Sequence, residues 1–309
     1  VTTDRLALVL HPRRDATAVV GTVVRWARAH DAEVLVRTED ADRAGTDVRP
    51  VDTAELAATC DAVVSVGGDG TMLGALRLVA DRPVPVLGVH LGRLGFLVEV
   101  QPADLAAALD RLATGQFVLE PHSALRVTVD GAVLVAFNDV ALARRPGRGS
   151  LAAAMSVNGV RYGYYRCDAL VVATPAGSSA YSYAAGGPLL SPSVRGTVVT
   201  PSAAMSGISR PLVLSEADRL RLELLADAGT LAVEIDGNPV RDAGPGDVLD
   251  VSLQPDAGLV VRFDPEAHQQ RSRVKLSLLD LPLLPEQLRE LLPADLRARF
   301  DPPPLPPES

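Results

Sequence analysis

The segment Val66-Gly67-Gly68-Asp69-Gly70-Thr71-Met72-Leu73 lies where a buried apolar run, DAVVSV, gives way to a helical pattern. Glycines at such a junction leave backbone N–H groups bare, and a helix starting there turns its positive end toward the same spot, so an anion such as phosphate is favoured. Gly67, Gly68, Gly70 and Thr71 are therefore the candidate phosphate-binding residues, with Thr71 read as the N-cap. A carboxylate at Asp69 is costly beside a phosphate unless a cation bridges the two or the carboxylate takes a proton during reaction. Both resolutions mean phosphoryl transfer. On residues alone, the same glycines could make only a tight strand-to-helix turn with Asp69 capping it.

Two further stretches carry polar groups where a bare scaffold would not need them. Phe137-Asn138-Asp139-Val140 places two polar residues in an apolar strand, and such groups must be hydrogen-bonded, either as a satisfied core Asn with a surface Asp or to a ligand. Asp168-Ala169-Leu170-Val171-Val172-Ala173-Thr174-Pro175-Ala176-Gly177-Ser178-Ser179-Ala180-Tyr181, continuing to Ala185-Gly186-Gly187-Pro188, reads as a buried strand, a Pro-Gly turn and a short helix of small residues. Small residues let a flat base approach the backbone, hydroxyls address its edge, and Tyr181 offers a face to stack on. A serine-capped helix packed on the sheet would use the same residues. Arg166, next to Cys167 and Asp168, borders this stretch as a candidate ligand contact. His90 reads equally as a phosphate neighbour or a satisfied structural histidine. Arg144, Arg145 and Arg148 form a basic loop that could meet phosphate but reads more readily as a solvated turn, Asp236-Gly237 reads as a hairpin turn, and Cys60 and Cys167 as small buried hydrophobes.

The elements that must position these residues fall into two textures. LALVL at Leu6 to Leu10, an amphipathic stretch from Asp15 to His30, EVLV, DAVVSV, a helix pattern from Thr71, VPVLGVHLG and ADLAAALDRLATG alternate as βα units of a parallel sheet do. After about Glu120, alternating strands surround Asp-Gly and Asn-Gly turns in RVTVDGAVLV, MSVNGVRYG and VEIDGNPV, the signature of antiparallel hairpins. The expected fold is an α/β N-terminal lobe with a parallel sheet plus a mainly antiparallel β C-terminal lobe. The expected division is residues 1–120 with the phosphate loop, 121–265 as a β-rich acceptor-binding domain, and 266–309 as a C-terminal segment packing back on the first lobe. That segment is expected to hold one or two short helices and to end in a Pro-rich tail, DPPPLPPES, disordered or polyproline-like.

With Lys+Arg 30 against Asp+Glu 38 and a formal net charge of -8, the chain is a poor fit to nucleic acid. Hydrophobic residues make up 47% and aromatics only 4%, so the core must be aliphatic. No run has the length and apolarity of a membrane span, and the two cysteines have no neighbours at metal-ligand spacing, so no membrane partner and a cytoplasmic setting are expected.

GGDGTML followed by VPVLGVHLGRLGFL resembles the paired signature of the NAD kinase family, within a superfamily that also holds diacylglycerol, sphingosine and 6-phosphofructo-kinases. Leu94-Gly95-Phe96-Leu97 separates the chain from the lipid kinases. The likeness runs from about Leu6 to Phe263 and implies transfer of the ATP γ-phosphoryl to the 2'-hydroxyl of the adenosine ribose of NAD, giving NADP. Mg2+ or another divalent cation would arrive on the donor phosphates, with no protein metal ligand, and the assembly would be a homodimer or homotetramer. Carried over residue by residue, Asp69 is the base or phosphate-positioning group, and Ser179, Ala180 and Tyr181, with Ala176, hold adenine. Asn138 and Asp139 meet the ribose and nicotinamide side, Asp168 receives the carboxamide, Phe96 and Asn138 close the pocket, and Gly70 and Leu73 count among the substrate-binding residues.

The chain departs from the family at Asp139 for Glu, Ala169 for Gly, Ala176 for Thr or Ser, and Ser179 for Thr. Ser206-Gly207-Ile208-Ser209-Arg210-Pro211-Leu212 lacks the family's preceding His. Losing one hydroxyl contact costs about 0.5–1.5 kcal/mol, so no single change abolishes binding, while several together could redirect the acceptor to another nucleoside or nucleotide. A non-catalytic dinucleotide sensor would have no use for Asp69.

Overall fold

The computed structural model describes residues 3–92 and 95–268. Residues Val1–Phe263 form one compact unit, and Asp264–Ser309 a second. The packing-back, helical and Pro-rich expectations for the C-terminal segment fall almost wholly outside the described residues, as does Leu94.

The first half alternates β1 (Arg5–Leu10), α1 (Thr17–Ala29), β2 (Glu33–Arg37), α2 (Ala41–Ala44), β3 (Arg49–Val51), α3 (Thr53–Thr59), β4 (Ala62–Gly67), α4 (Asp69–Leu78), β5 (Pro85–His90) and α5 (Leu105–Ala113). The strands pair in parallel in the order β3-β2-β1-β4-β5. Because side chains alternate along a strand, Leu6, Leu8 and Leu10 of β1 face a core shared with Val19, Val20, Val23 and Val24 of α1. Ala7 and Val9 face another core, shared with Met72, Leu73, Ala75 and Leu76 of α4. Helices therefore cover both faces, and the chain changes sides between β1 and β4, which is where sheets of this kind open a crevice at the carboxyl ends of their strands. Trp26 Nε1 donates to Asp110 Oδ1 at 2.7 Å, tying α1 to α5.

The second half is antiparallel: β6 (Val118–Val129), β7 (Ala132–Ala136), β8 (Asp139–Arg144), β9 (Leu151–Val157), β10 (Val160–Cys167), β11 (Ala169–Ala173), α6 (Tyr181–Ala184), β12 (Gly196–Ser202), β13 (Ser206–Gly207), β14 (Leu212–Ser215), β15 (Leu220–Leu224), β16 (Leu231–Ile235), β17 (Asn238–Ala243) and β18 (Val248–Arg262). The three expected hairpins form at Asp130-Gly131, Asn158-Gly159 and Asp236-Gly237, each with φ between +48° and +79°, as a two-residue turn matched to strand twist requires. One sheet runs β14-β12-β11-β8-β16-β17, and its inner face buries Val140, Leu142, Leu170, Val172 and Val233.

β18 joins the two textures. It pairs with β15 at its start, with β6 along most of its length, and in parallel with β5 near its end, so one sheet carries both the parallel strands and the hairpins β6–β7 and β9–β10. Gly258 lets it pass closely over the core, since a Cβ there would meet the Phe137 ring at 2.7 Å and Leu76 at 2.9 Å.

Candidate active site

The glycine loop leaves the end of β4 and enters α4 at the crevice. Gly67 is buried and holds the place of a side chain, because a Cβ on it would strike the Thr71 hydroxyl. Thr71 is not the N-cap that its type advertised. The cap is Gly68, extended and without a side-chain bond, and Thr71 sits inside the first turn, 9% exposed. With no side chain spent on them, the first N–H groups of α4 remain free for an anion. They face a cleft of about 1010 Å³ lined by Gly68, Gly70, Thr71, Gly74 and Arg77 of this element, by His11, Pro12 and Arg14 after β1, and by Arg37 and Asn238.

Cations dominate the cleft, but most are already paired. Arg37 binds Asp40 at 2.6 Å, and Arg77 binds Asp236. Arg14 donates to Leu91 O at 3.1 Å and has no carboxylate partner among the described residues. His11 Nδ1 accepts the N–H groups of Arg13 and Arg14 at 3.1 Å, which fixes the loop and makes that nitrogen an acceptor. Burial, followed by Arg14, Arg13 and Arg43, holds the imidazole below its usual pKa, which favours its uncharged form.

Asp69 opens α4 and accepts two backbone N–H groups, from Phe96 at 2.7 Å to Oδ2 and from Leu97 at 3.0 Å to Oδ1. Each oxygen keeps a second lone pair, so the carboxylate can still take a proton. Gly95 is required by this approach, because a Cβ there would fall on the carboxylate itself.

Asp236 is the residue that the sequence concealed. Its hairpin conformation, φ +48°, turns a fully buried carboxylate inward, where it accepts N–H groups from Phe137 at 3.2 Å, Asn138 at 2.7 Å and Asp139 at 3.2 Å besides the Arg77 guanidinium. The turn that a bare hairpin explains is thus also the link between the helix of the phosphate loop and the Asn138-Asp139 segment. A signal existed for Arg77: Gly70, Gly74 and Arg77 recur at the spacing of one helix face, and all three line the cleft. None marked Asp236 or Asn238.

A second group forms around Asn138. Thr174 donates its hydroxyl to Phe137 O at 2.7 Å, accepts Gly177 N–H at 3.0 Å, and gives its own N–H to Asn138 O at 2.9 Å. Gly177 has no room for a Cβ against the Asn138 backbone. Asn138, Asp139, Ala176, Ser179, Ala180 and Tyr181 are therefore neighbours through the turn after β11. Ser178 is spent internally, donating to Pro175 O and accepting Leu190 N–H at 2.9 Å, while the Ser179 hydroxyl donates to Ala176 O at 3.1 Å. Asp139 is a buried core carboxylate, 3% exposed, rather than a surface one. Burial and the Asp236 carboxylate, with Glu234, raise its pKa to about 7, opposed by the Tyr181 N–H. Burial likewise raises the Tyr181 phenol, helped by Glu234 and Asp139.

Other expected residues lie apart from these groups. Leu73 is 6% exposed and packs in the core with Met72 and Leu76. Asp168 precedes β11 and Arg166 is next to last in β10, so both stand at the opposite end of β11 from Ala176, and β11 itself spans about 17 Å at a strand's rise per residue. Asp168 pairs with Arg144 at 2.8 Å, and Arg166 with Asp227 at 2.5 Å. Arg145 binds Asp242, and His90 Nδ1 lies 2.9 Å from Gly92 O, a structural role.

Comparison with known proteins gives this geometry its relatives. Residues 6–117 match the ATP-NAD kinase N-terminal domain and residues 137–263 the ATP-NAD kinase C-terminal domain. An NAD kinase of Desulforamulus reducens is 34% identical over 248 residues, 77% of this chain and 86% of its own length. One of Symbiobacterium thermophilum is 32% identical over 279 residues, 88% and 99%. Among solved structures, yeast NADH kinase complexed with NADH superposes with a TM-score of 0.79 at 21% identity, covering 92% of this chain and 90% of that one. An NAD kinase from Archaeoglobus fulgidus in complex with ATP gives 0.65 at 24%, covering 88% and 98%. The structural likenesses establish the fold. The two domain matches and the sequence relatives establish more: this chain belongs to the ATP-NAD kinase family.

Proposed function

We propose that the chain transfers the γ-phosphoryl group of ATP to the 2'-hydroxyl of the adenosine ribose of NAD, producing NADP. The observation that carries this reading is the position of Asp69, in the first turn of α4 between two glycines of a cation-lined cleft. The open N–H groups of α4, with Arg14, hold the donor's phosphates, and helix and guanidinium charges offset the charge that grows on the transferred group. Mg2+ or another divalent cation, carried on those phosphates, would supply further neutralisation, and a cleft walled by glycines leaves room for it. Asp69 accepts the proton of the attacking hydroxyl through its unused lone pairs. Asn138, Asp139, Ala176, Ser179, Ala180 and Tyr181 form the acceptor side, with Phe96 near its mouth and Gly67 shaping the phosphate loop.

The change of architecture near residue 120 separates the donor elements from the acceptor elements within this reading. Asp168 and Arg166 would then serve the nicotinamide end of a site completed by another copy in a homodimer or homotetramer. The exposed apolar row Val160, Tyr162 and Tyr164 on β10, beside Arg166, supports such a contact. A cytoplasmic setting, where both nucleotides are found, would suit this reaction. Among the described residues, no helix is long and apolar enough to cross a membrane.

The test is incubation of the full chain with Mg-ATP and a panel of NAD, NADH and adenine nucleosides, with NADP read by an NADP-specific dehydrogenase and other products by mass. NADP formation is expected. A phosphate gained only by a different acceptor, or by none, would overturn the assignment.

A further inference from the structure

Asp69 is held by a short turn, and that turn is itself held from behind. Arg262, the last residue of β18, is 1% exposed and ranks among the largest fully buried side chains of the molecule. Its Nη1 donates to Leu97 O at 2.9 Å and its Nη2 to Phe96 O at 3.3 Å. Its Nε donates to Glu120 Oε2 at 2.7 Å, and Glu99 lies 3.8 Å from Nη1. Glu120 also meets His122 Nε2 at 2.7 Å, and these interactions with His122 and Arg262 outweigh burial and keep its carboxylate far below the ordinary range.

The peptide between Phe96 and Leu97 is therefore engaged on both sides. Its carbonyl accepts from Arg262, and its N–H donates to Asp69 Oδ1. A cation on the carbonyl draws density out of the amide and strengthens the N–H as a donor, and it also fixes the plane of the peptide. A buried arginine serving only to join β6 to β18 would need its carboxylate partners and not the two carbonyls of the turn. We propose that Arg262 is a positioning residue for phosphoryl transfer: through the Phe96–Leu97 peptide it orients the Leu97 N–H, and by holding the Phe96 and Leu97 carbonyls it steadies the turn whose two N–H groups aim the Asp69 carboxylate. This rests on the reading of Asp69 as the proton acceptor. Without the guanidinium two buried carbonyls lose their donor, the peptide plane is released, and Asp69 loses its aim while both substrates still bind.

The test uses the full chain with Arg262→Met, Arg262→Lys, Asp69→Asn and the Asp69→Asn/Arg262→Met double variant. For Arg262→Met, kcat should fall about 100-fold with KM for ATP and for NAD within about twofold, the loss expected of a misaimed group. Arg262→Lys, which keeps the charge and reaches one carbonyl, should stay within about tenfold of wild type. In the Asp69→Asn background the Arg262→Met change should add less than about threefold, because the residue it acts through is already gone. The Leu97 amide proton resonance should move upfield in Arg262→Met, and those of both Phe96 and Leu97 in Asp69→Asn. That shift reads the linkage without turnover, so a wild type that makes no NADP would sink the functional reading and leave this one to be judged on the spectra.

An unmoved Leu97 resonance in Arg262→Met, additive losses in the double variant, or a loss confined to KM would each overturn the proposal. Should Arg262→Met fail to fold, Arg262→Lys carries the same comparisons, with smaller but same-signed effects expected.

Discussion

Arg77 of α4 and Asp236 of the β16–β17 turn, 159 residues apart, form a direct ion pair in which the carboxylate side chain is completely buried. The pair fastens the helix that follows the glycine loop to the backbone of Phe137, Asn138 and Asp139. Removing one member of a buried pair strands the other charge, which costs about 3–5 kcal/mol. Arg77→Met should lower stability in denaturant unfolding by that order. A loss below about 1 kcal/mol would mean that the three backbone N–H groups hold Asp236 unaided.

Asp69→Asn keeps the shape of the side chain and removes its capacity to take a proton. General-base contributions run to about 10²–10⁴-fold, so kcat for NADP formation should fall in that range, with KM for ATP changed little. Steady-state kinetics on the two proteins decide it. A variant retaining most of its kcat would reduce Asp69 to a helix-start residue.

Gly95→Ala probes the same carboxylate from the other side. The added methyl would occupy the space of the Asp69 oxygens, so either the turn or the aspartate must shift. A displacement of about 1 Å in a reacting group can cost about 100-fold in rate. Activity should therefore fall by about that factor while the melting temperature moves by only a few degrees. The opposite pattern, unfolding with activity preserved in the folded fraction, would refute the close approach.

Asp139 makes stability depend on pH. Burial, with Asp236 and Glu234, sets its folded pKa at about 7 against 3.8 for an unconstrained aspartate. Between these values the folded chain keeps a proton that the unfolded chain has released, so raising the pH weakens the fold. The contribution is complete below pH 3.8 and is lost as the pH rises through about 7. Asp139→Asn has no such dependence. Relative to wild type it should gain stability between acid and alkaline buffers by at most about 4 kcal/mol, the equivalent of the pKa difference. Parallel unfolding profiles across that range would contradict the burial of the charge.

Much of this was legible from the residues. Period-two alternation around Asp130-Gly131, Asn158-Gly159 and Asp236-Gly237 announced the hairpins, because few residues besides Asn, Asp and Gly accept positive φ there. The run of βα units announced the parallel sheet, and Gly67, Gly68 and Gly70 announced the crevice at its strand ends. Local pattern failed where one residue does two jobs. Asp236 makes a turn that its type explains completely, so nothing local reveals that its carboxylate faces inward to three N–H groups and an arginine. Thr71 looked like a cap because hydroxyls usually cap, yet an uncapped helix start is what an anion needs. Leu73 stands next to the site in sequence and belongs to the core in space. Asp168 belongs to the same continuous segment as Tyr181, but an extended strand carries it to the other end of the sheet.

The backing of the Asp69 turn by Arg262 also sets an order of events during synthesis. Leu97 and the guanidinium that grips it are separated by 165 residues, and nascent domains generally organise from the N-terminus as they emerge. A half-made chain can thus display the glycine loop, the crevice and Asp69 while the last strand is still inside the ribosome. Until β18 pairs beside β5, Asp69 has a turn to rest on and no guanidinium behind that turn. If Asp69 and Arg262 act as proposed, a chain released before β18 is made would hold that turn unbacked and should transfer phosphoryl groups far more slowly than the finished one.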